Sequence, residues 1–279
     1  MSSTHTRKDS IGDRMKTYEN VERRYLTKRM PTLIRIDGKA FHNFTKGFQR
    51  PFDPVFAEAM WETAKYLCKN VMGCKAAYVQ SDEITLLLTD WDTLTTQAWF
   101  DKNINKMVSV SASMATMAFN NAFAKLAERD HQKYVALTTP AEQNTEEGLK
   151  WHKICKTRLE RIGTAMFDGR VWNVPKEEVV NNFIWRQQDA TRNAIQMLAQ
   201  SEFSHKELHG KSCDQIQELL FQERNINFND LPTFQKRGAC VIKETYDKDG
   251  TKRTRWVVDK DIPIFTADRE YIEKFLETL

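Results

Sequence analysis

Between residues 32 and 174 the hydrophobic period switches repeatedly between that of a strand and that of a helix, and this alternation constrains the fold most. TLIRIDG (32–38) is a β-rich run that ends at Asp37-Gly38. Across 53–72, Phe56, Met60, Ala64, Leu67 and Val71 recur at helical spacing, and Gly73 supplies a stop. AAYVQ (76–80) and ITLLL (84–88) follow, separated only by Ser81-Asp82-Glu83, which predicts a hairpin with an acidic tip. A long helix is expected over 101–128, and TAMFDGRVWNV (164–174) reads as a strand with a turn near Asp168-Gly169. The order β-α-β-β-α-β is that of the ferredoxin-like split βαβ unit. The expected fold class is therefore α+β, with an antiparallel sheet carrying its helices on one face.

The flanking segments are simpler. Residues 1–14 are polar and read as a flexible start, and TTPAEQNTEEG (138–148) reads as a loop. Pro175 opens a predicted helix to about residue 200, a shorter helix is expected over 212–224, and 239–259 is a hairpin around Asp249-Gly250. The predicted organisation is thus a domain over 15–174 and a helical and hairpin region over 175–279 packed on it. No stretch approaches the roughly 18 to 20 apolar residues of a membrane span, so no membrane partner is expected. The five cysteines are odd in number and form no CxxC, which suits a reducing cytoplasm better than a disulfide framework. With 42 Lys and Arg against 38 Asp and Glu, the net charge of +4 permits an anionic partner without requiring one.

In the expected topology the first strand lies beside the central hairpin, which brings Asp37 and Asp82 to one edge of the sheet. Mg²⁺ is typically held by one or two carboxylates plus substrate phosphates. Two such ions about 4 Å apart clamp the attacking and leaving oxygens of a phosphoryl displacement. The pair therefore points to nucleotidyl transfer, although the same two residues also read as ordinary turn formers. From Gly38 through Lys39, Ala40, Phe41 and His42 the chain can aim successive backbone amides at a phosphate, with Lys39 adding charge. Taken singly, Lys39 reads as solvated and His42 as half-buried.

Arg50, Lys102 and Lys106 are further candidates to neutralise phosphates, the two lysines sharing a predicted helix face. Glu83 reads as an exposed hairpin residue, and Trp172 and Trp185 as core. His205, His209 and Cys213 share a helical spacing that can hold Zn²⁺, but Gly210 interrupts it and the pattern is weak. Gly210-Lys211-Ser212 lacks the earlier glycine of a P-loop, and His152 with Cys155 lacks a third orienting group.

Five segments, in order, then carry a resemblance. Arg35-Ile36-Asp37-Gly38-Lys39-Ala40-Phe41-His42 followed by Phe44 resembles the RIDGxxFHxF signature of the tRNA-His guanylyltransferase family. Gln80-Ser81-Asp82-Glu83-Ile84 resembles that family's second acidic motif, and Phe167-Asp168-Gly169-Arg170 its FDGR segment. Trp185-Arg186-Gln187-Gln188-Asp189 resembles WRQxD, and the run from Asn225-Ile226-Asn227-Phe228 to Lys236-Arg237-Gly238 resembles the family's C-terminal motif.

The resemblance implies a fold like a polymerase palm over 15–174 and a reaction that extends RNA backwards. The 5′ end of a tRNA is activated as a triphosphate or by adenylylation, and the 3′-OH of an incoming nucleotide attacks it, with ATP or GTP as substrates. It implies two Mg²⁺ ions on Asp37, Asp82 and the Gly38 carbonyl, and nucleotide contacts from Gly38, Lys39, Ala40, Phe41 and His42, with Ser81 beside the second carboxylate; Lys106 joins the expected nucleotide contacts by its charge alone. Arg186, Arg192 and Asn193 are candidate tRNA contacts, although Arg186 and Arg192 can instead pair with Asp189 or another acid. A homotetramer built as a dimer of dimers is also implied.

One departure stands out. Where eukaryotic members carry HINNLYN, this chain reads Thr191-Arg192-Asn193-Ala194-Ile195-Gln196-Met197. It is similar here to the template-dependent bacterial and archaeal relatives, which restore missing 5′ nucleotides of tRNA. The alternatives are untemplated G addition to tRNA-His, a palm-type nucleotide cyclase acting on one NTP, and a non-catalytic RNA-binding protein.

Overall fold

Six strands build one antiparallel sheet, in a computed structural model that describes residues 10–277. The chain opens with helix α1 (Ile11–Asn20), started by the Ser10 hydroxyl, which accepts from the Asp13 amide at 3.0 Å. The flexible start expected over 1–14 is thus helical from Ile11, while residues 1–9 lie outside the described region. Strand β1 (Thr32–Gly38) leads through the single-turn α2 (Phe41–Phe44) to α3 (Pro54–Asn70), where Asp53 caps and Pro54 occupies the first turn. Strands β2 (Cys74–Gln80) and β3 (Glu83–Leu88) are joined by Ser81 and Asp82 alone.

Helix α4 (Ile104–Leu137) starts later and runs further than expected. Residues 100–102 take left-handed φ values of 48°, 54° and 63°, and Asn103 caps the helix through the Lys106 amide. The loop expected over 138–148 holds α5 (Pro140–Gln143) and the first turn of α6 (Glu146–Glu160), each opened by a threonine cap at Thr139 and Thr145. The turn expected at Asp168-Gly169 is absent, because both residues lie inside β4 (Phe167–Asn173), paired with Asp37 and Ile36. A side chain at Gly169 would meet the Val108 carbonyl at 3.2 Å, so its glycine admits the α4 backbone rather than making a turn.

After β4 come α7 (Val179–Glu202), α8 (His205–Leu208), α9 (Cys213–Arg224) and α10 (Thr233–Arg237). The hairpin of β5 (Ala239–Lys248) and β6 (Thr251–Asp259) and the short α11 (Glu270–Glu273) follow. The strand order is β4-β1-β3-β2-β5-β6, so the first four strands have the ferredoxin-like arrangement and the hairpin extends the same sheet beyond β2.

Helices cover both faces rather than one. Ile34, Ile36, Val79, Ile84 and Leu86 pack toward α3 and α4, while Leu33, Tyr78, Leu87 and Cys240 pack toward α7 and α11. The reason is visible in β3, whose six residues are all buried. A strand without a polar face needs cover on each side. The second half of α7 buries Ala194, Ile195 and Leu198 against α8, α9 and Phe228 in a separate cluster.

Candidate active site

The C-terminal end of β1 and the β2–β3 turn meet at one edge of the sheet. Asp37 pairs in register with Glu83 on β3 and Asp168 on β4. The Gly38 amide donates to the Asp82 carbonyl at 3.1 Å, which ties the two acidic segments together. Ser81 holds the turn in a left-handed conformation with φ 45°. Two-residue hairpin loops favour such positive φ values, because they match the twist of the flanking strands.

Packing below the turn explains the sequence around Gly38. The Phe41 ring lies against Gly38, where any Cβ would overlap it. Phe41 is fixed by Phe44, Phe119 and Phe167 at centroid distances of 4.8, 5.6 and 4.9 Å. Ala40 takes a left-handed conformation at the start of α2. The Lys39 amide is used by the Met166 carbonyl and the Asn43 amide by the Ala40 carbonyl. The amides of Ala40, Phe41 and His42 between them have no protein acceptor among the described residues. This is a row of donors held open by an aromatic anchor, as an anion nest requires.

The electrostatics of the pair are equally specific. Burial pushes the Asp82 carboxyl up to about 6, and the negative charges of Asp37 and Glu83 add to the effect against hydrogen bonds from its own backbone and Ser81. Among the described residues no Lys, Arg or His side chain pairs with Asp37 or Asp82. A cleft of about 490 Å³ opens beside them, lined by His42, Lys46, Gln49, Arg50, Ser81 and both carboxylates. An apolar pocket bounded by Phe52, Trp61, Phe234 and Asn193 adjoins it through Phe56, Ser81 and Met197.

The structure redistributes several expected residues. Glu83 is buried, not exposed: Arg186 Nε and Nη2 donate to its two oxygens, each at 2.7 Å. Arg186 Nη2 also reaches Asp189 at 3.0 Å, and Arg192 holds the other Asp189 oxygen at 3.0 Å. The Arg186 guanidinium is therefore satisfied inside the fold and is not a free RNA contact, whereas Arg192 and Asn193 remain exposed. Trp185 is 50% exposed rather than core, with the Arg186 guanidinium over its ring at 4.6 Å. Lys102 is buried at the opposite end of β1, donating to the Met30 carbonyl and Thr32 Oγ1 and pairing with Asp90. Its left-handed backbone keeps it off the helix face of Lys106, and Lys39 and Lys106 are exposed but outside the cleft lining.

Lys46, Gln49 and Asp53 line the cleft without having been singled out from the sequence. Only Asp53 carried a signal, as Asp before Pro at a helix start. Cys155 is buried, and burial raises its thiol pKa, so it is not a poised nucleophile. Helix α8 ends before His209, and the described residues hold no group of three or more metal-type side chains, His205, His209 and Cys213 included.

A ferredoxin-like sheet that brings Asp37 and Asp82 together, unpaired by any cation among the described residues and beside a cleft with open amides, has the charge pattern of a nucleotidyltransferase. The family model of tRNAHis guanylyltransferase matches residues 12–175, and the chain belongs to that family. It is 47% identical to a solved "Bacterial tRNA(HIS) Guanylyltransferase (Thg1)-Like Protein in complex with ATP", with a TM-score of 0.79 over 97% of this chain and 100% of that one. The corresponding structure in complex with GTP superposes with a TM-score of 0.73 at 45% identity, over 96% and 99% of the two chains. The tRNA(His) guanylyltransferase of Schizosaccharomyces pombe is 26% identical over 84% of this chain and 81% of its own.

Proposed function

We propose that this chain repairs the 5′ end of tRNA by template-dependent 3′-to-5′ nucleotide addition. The observation that carries the reading is the meeting of Asp37 and Asp82 at one sheet edge, unpaired by any protein cation among the described residues, beside the open amides of Ala40, Phe41 and His42. Two adjoining carboxylates, one with its pKa pushed up to about 6, form a site whose charge fits a divalent cation. Asp37, Asp82 and the Gly38 carbonyl would hold two Mg²⁺ ions. Such ions supply charge neutralisation and polarise the phosphoryl group under attack.

The protein's own groups do the rest. The amides of residues 40–42 bind the triphosphate of ATP or GTP, with Lys46 and Arg50 on the cleft wall. Ser81 fixes the turn that presents Asp82. Substrate is oriented so that the 3′-OH of the incoming nucleotide faces the activated 5′ phosphate of the RNA. Pyrophosphate leaves from a triphosphorylated end, or AMP from an adenylylated one.

Templating is supported by Thr191-Arg192-Asn193 in place of the eukaryotic motif, and by likeness to a bacterial relative over nearly the whole chain. Thr191 donates its hydroxyl to the Gln187 carbonyl within α7 at 3.0 Å. Choice of nucleotide then falls to pairing within the RNA. The homotetramer stays part of this reading, supported by α1, which buries no residue and leaves Ile11, Met15 and Tyr18 exposed. A cytoplasmic setting is supported by five free cysteines.

The test uses a labelled tRNA lacking its first nucleotide, with Mg²⁺, ATP and each NTP in turn, resolved at single nucleotides. The expected result is addition of only the nucleotide complementary to the opposing base, following that base when it is changed. Addition of G whatever the opposing base would refute templated repair, and a cyclic product from NTP alone would move the reaction to a cyclase.

A further inference from the structure

We propose that Arg158, on α6 and outside the catalytic pair, is a positioning residue that holds the outer wall of the nucleotide cleft in its binding shape. The inference rests on the nucleotide-binding reading of that cleft. Arg158 is the largest side chain buried to less than 2% exposure, which is unusual for an arginine without a function in holding other groups. Its Nε and Nη2 donate to Asp53 Oδ2 at 3.0 and 2.7 Å, and its Nη1 donates to Asp130 Oδ2 on α4 at 2.6 Å. The Trp151 ring lies 5.4 Å from its guanidinium carbon.

Asp53 passes this restraint to the cleft. Its Oδ1 accepts from the Phe56 amide at 2.9 Å and caps α3, while Oδ2 accepts from the Gln49 amide at 3.0 Å. Gln49, Arg50 and Phe56 line the cleft. One carboxylate therefore fixes both the helix that floors the cleft and the loop that walls it, and Arg158 fixes that carboxylate. A second contact from the same helix turn acts on the same wall. Gly47, with φ +92°, approaches so closely that a Cβ would lie 3.3 Å from the Thr157 side chain. Adjacent residues of α6 thus meet the 46–53 segment at two points.

The arrangement asks for arginine specifically. A planar fork can reach Asp53 and Asp130 from different edges at once, which one ammonium on a flexible stem does not reproduce. The wall does not carry Asp37 or Asp82, which sit on β1 and the β2–β3 turn. Loosening it lowers the fraction of protein whose wall is ready to bind. The apparent dissociation constant rises by the inverse of that fraction, while the step after binding is unaffected.

The experiment measures ATP binding calorimetrically and steady-state addition to a tRNA lacking its first nucleotide, on the full-length protein. Arg158→Lys is expected to raise the Kd and KM for ATP about tenfold, as for a wall competent about a tenth of the time, with kcat within about twofold of wild type. Asp130→Asn, which leaves the Arg158–Asp53 contacts in place, should bind ATP within about twofold of wild type. Gly47→Ala disturbs the same wall without touching the buried ions and should raise KM in the same way, which keeps the test available should Arg158→Lys fail to fold. A folded Arg158→Lys protein with unchanged ATP Kd, or one that loses kcat at constant KM, overturns the proposal. Equal weakening of ATP binding in Asp130→Asn overturns it too, because the effect would then follow general stability. Wild-type protein that fails to bind ATP refutes the nucleotide-cleft reading itself and takes this inference with it.

Discussion

Replacing Asp82 with asparagine is expected to stabilise the metal-free protein at neutral pH while abolishing its activity. The folded chain pushes the Asp82 carboxyl from an ordinary 3.8 up to about 6, through burial first and the Asp37 charge next. A carboxyl held above its ordinary value binds its proton more tightly in the folded than in the unfolded chain. Stability therefore falls as pH rises through the interval from 3.8 to about 6, and the full penalty stands above it. A shift of about 2 units corresponds to about 3 kcal/mol. Asp82 keeps part of its surface in water, and solvent screening brings the expected effect to about 1.5 kcal/mol. Asparagine has nearly the same shape and never ionises, so Asp82→Asn escapes the penalty. Urea unfolding in EDTA at about pH 4 and about pH 7.5 reads the difference, which should be near its full size at the higher value and well under half of it at the lower. Millimolar Mg²⁺ should then narrow the gap at neutral pH by stabilising the wild type alone. A gap independent of pH, or a variant less stable than wild type at neutral pH, would refute the electrostatic argument. A gap indifferent to Mg²⁺ would remove the cation from these carboxylates.

Four further outcomes are expected. Asp37→Ala should reduce nucleotide addition by about a thousandfold or more with the fold retained, read by gel kinetics beside circular dichroism. Gly38→Ala places a methyl in the Phe41 ring and should destabilise by about 1–3 kcal/mol in urea unfolding, with loss of activity as α2 shifts. Arg186→Met strands Glu83 as a buried unpaired charge and should cost about 3–5 kcal/mol of stability, whereas a purely RNA-contacting arginine would leave unfolding unchanged. Arg192→Ala should leave stability nearly intact and lower the salt slope of tRNA binding by about 1, measured by filter binding across a salt series; an unchanged slope removes Arg192 from the RNA interface.

Local chemistry was legible in the sequence wherever a single segment determines its own geometry. TLIRIDG, the helix behind Asp53-Pro54 and the two arms around Ser81-Asp82 stand where their periods and turn residues put them. Asp37 and Asp82 were brought together by topology alone, because β1 can lie beside β3 only with their acidic ends adjacent. Failures fall where a residue's partner is distant. Glu83 lies next to a turn and looks solvated, yet its counter-charge arrives from Arg186, far along the chain on α7. Lys102 looks like a helix-face cation until Asp90 and Thr32 claim it. Gly169 resembles a turn glycine because the α4 backbone it makes room for is invisible from the local sequence.

These same distant pairings separate the matched charges around the acidic edge from the unmatched ones. Around the acidic edge, buried and half-buried charges are matched: Glu83 with Arg186, Asp189 with Arg186 and Arg192, Asp53 with Arg158. Each match fixes a neighbouring segment, the hairpin in the first case and the cleft wall in the last. Asp37 and Asp82 sit among these pairs without a protein counter-ion among the described residues, and the fold tolerates the resulting strain on Asp82 rather than supplying one. A chain able to place an arginine on Glu83 had the means to place one beside Asp82. The two carboxylates left open, with unused amides alongside, are the charge pattern on which the proposed cation and triphosphate binding rests.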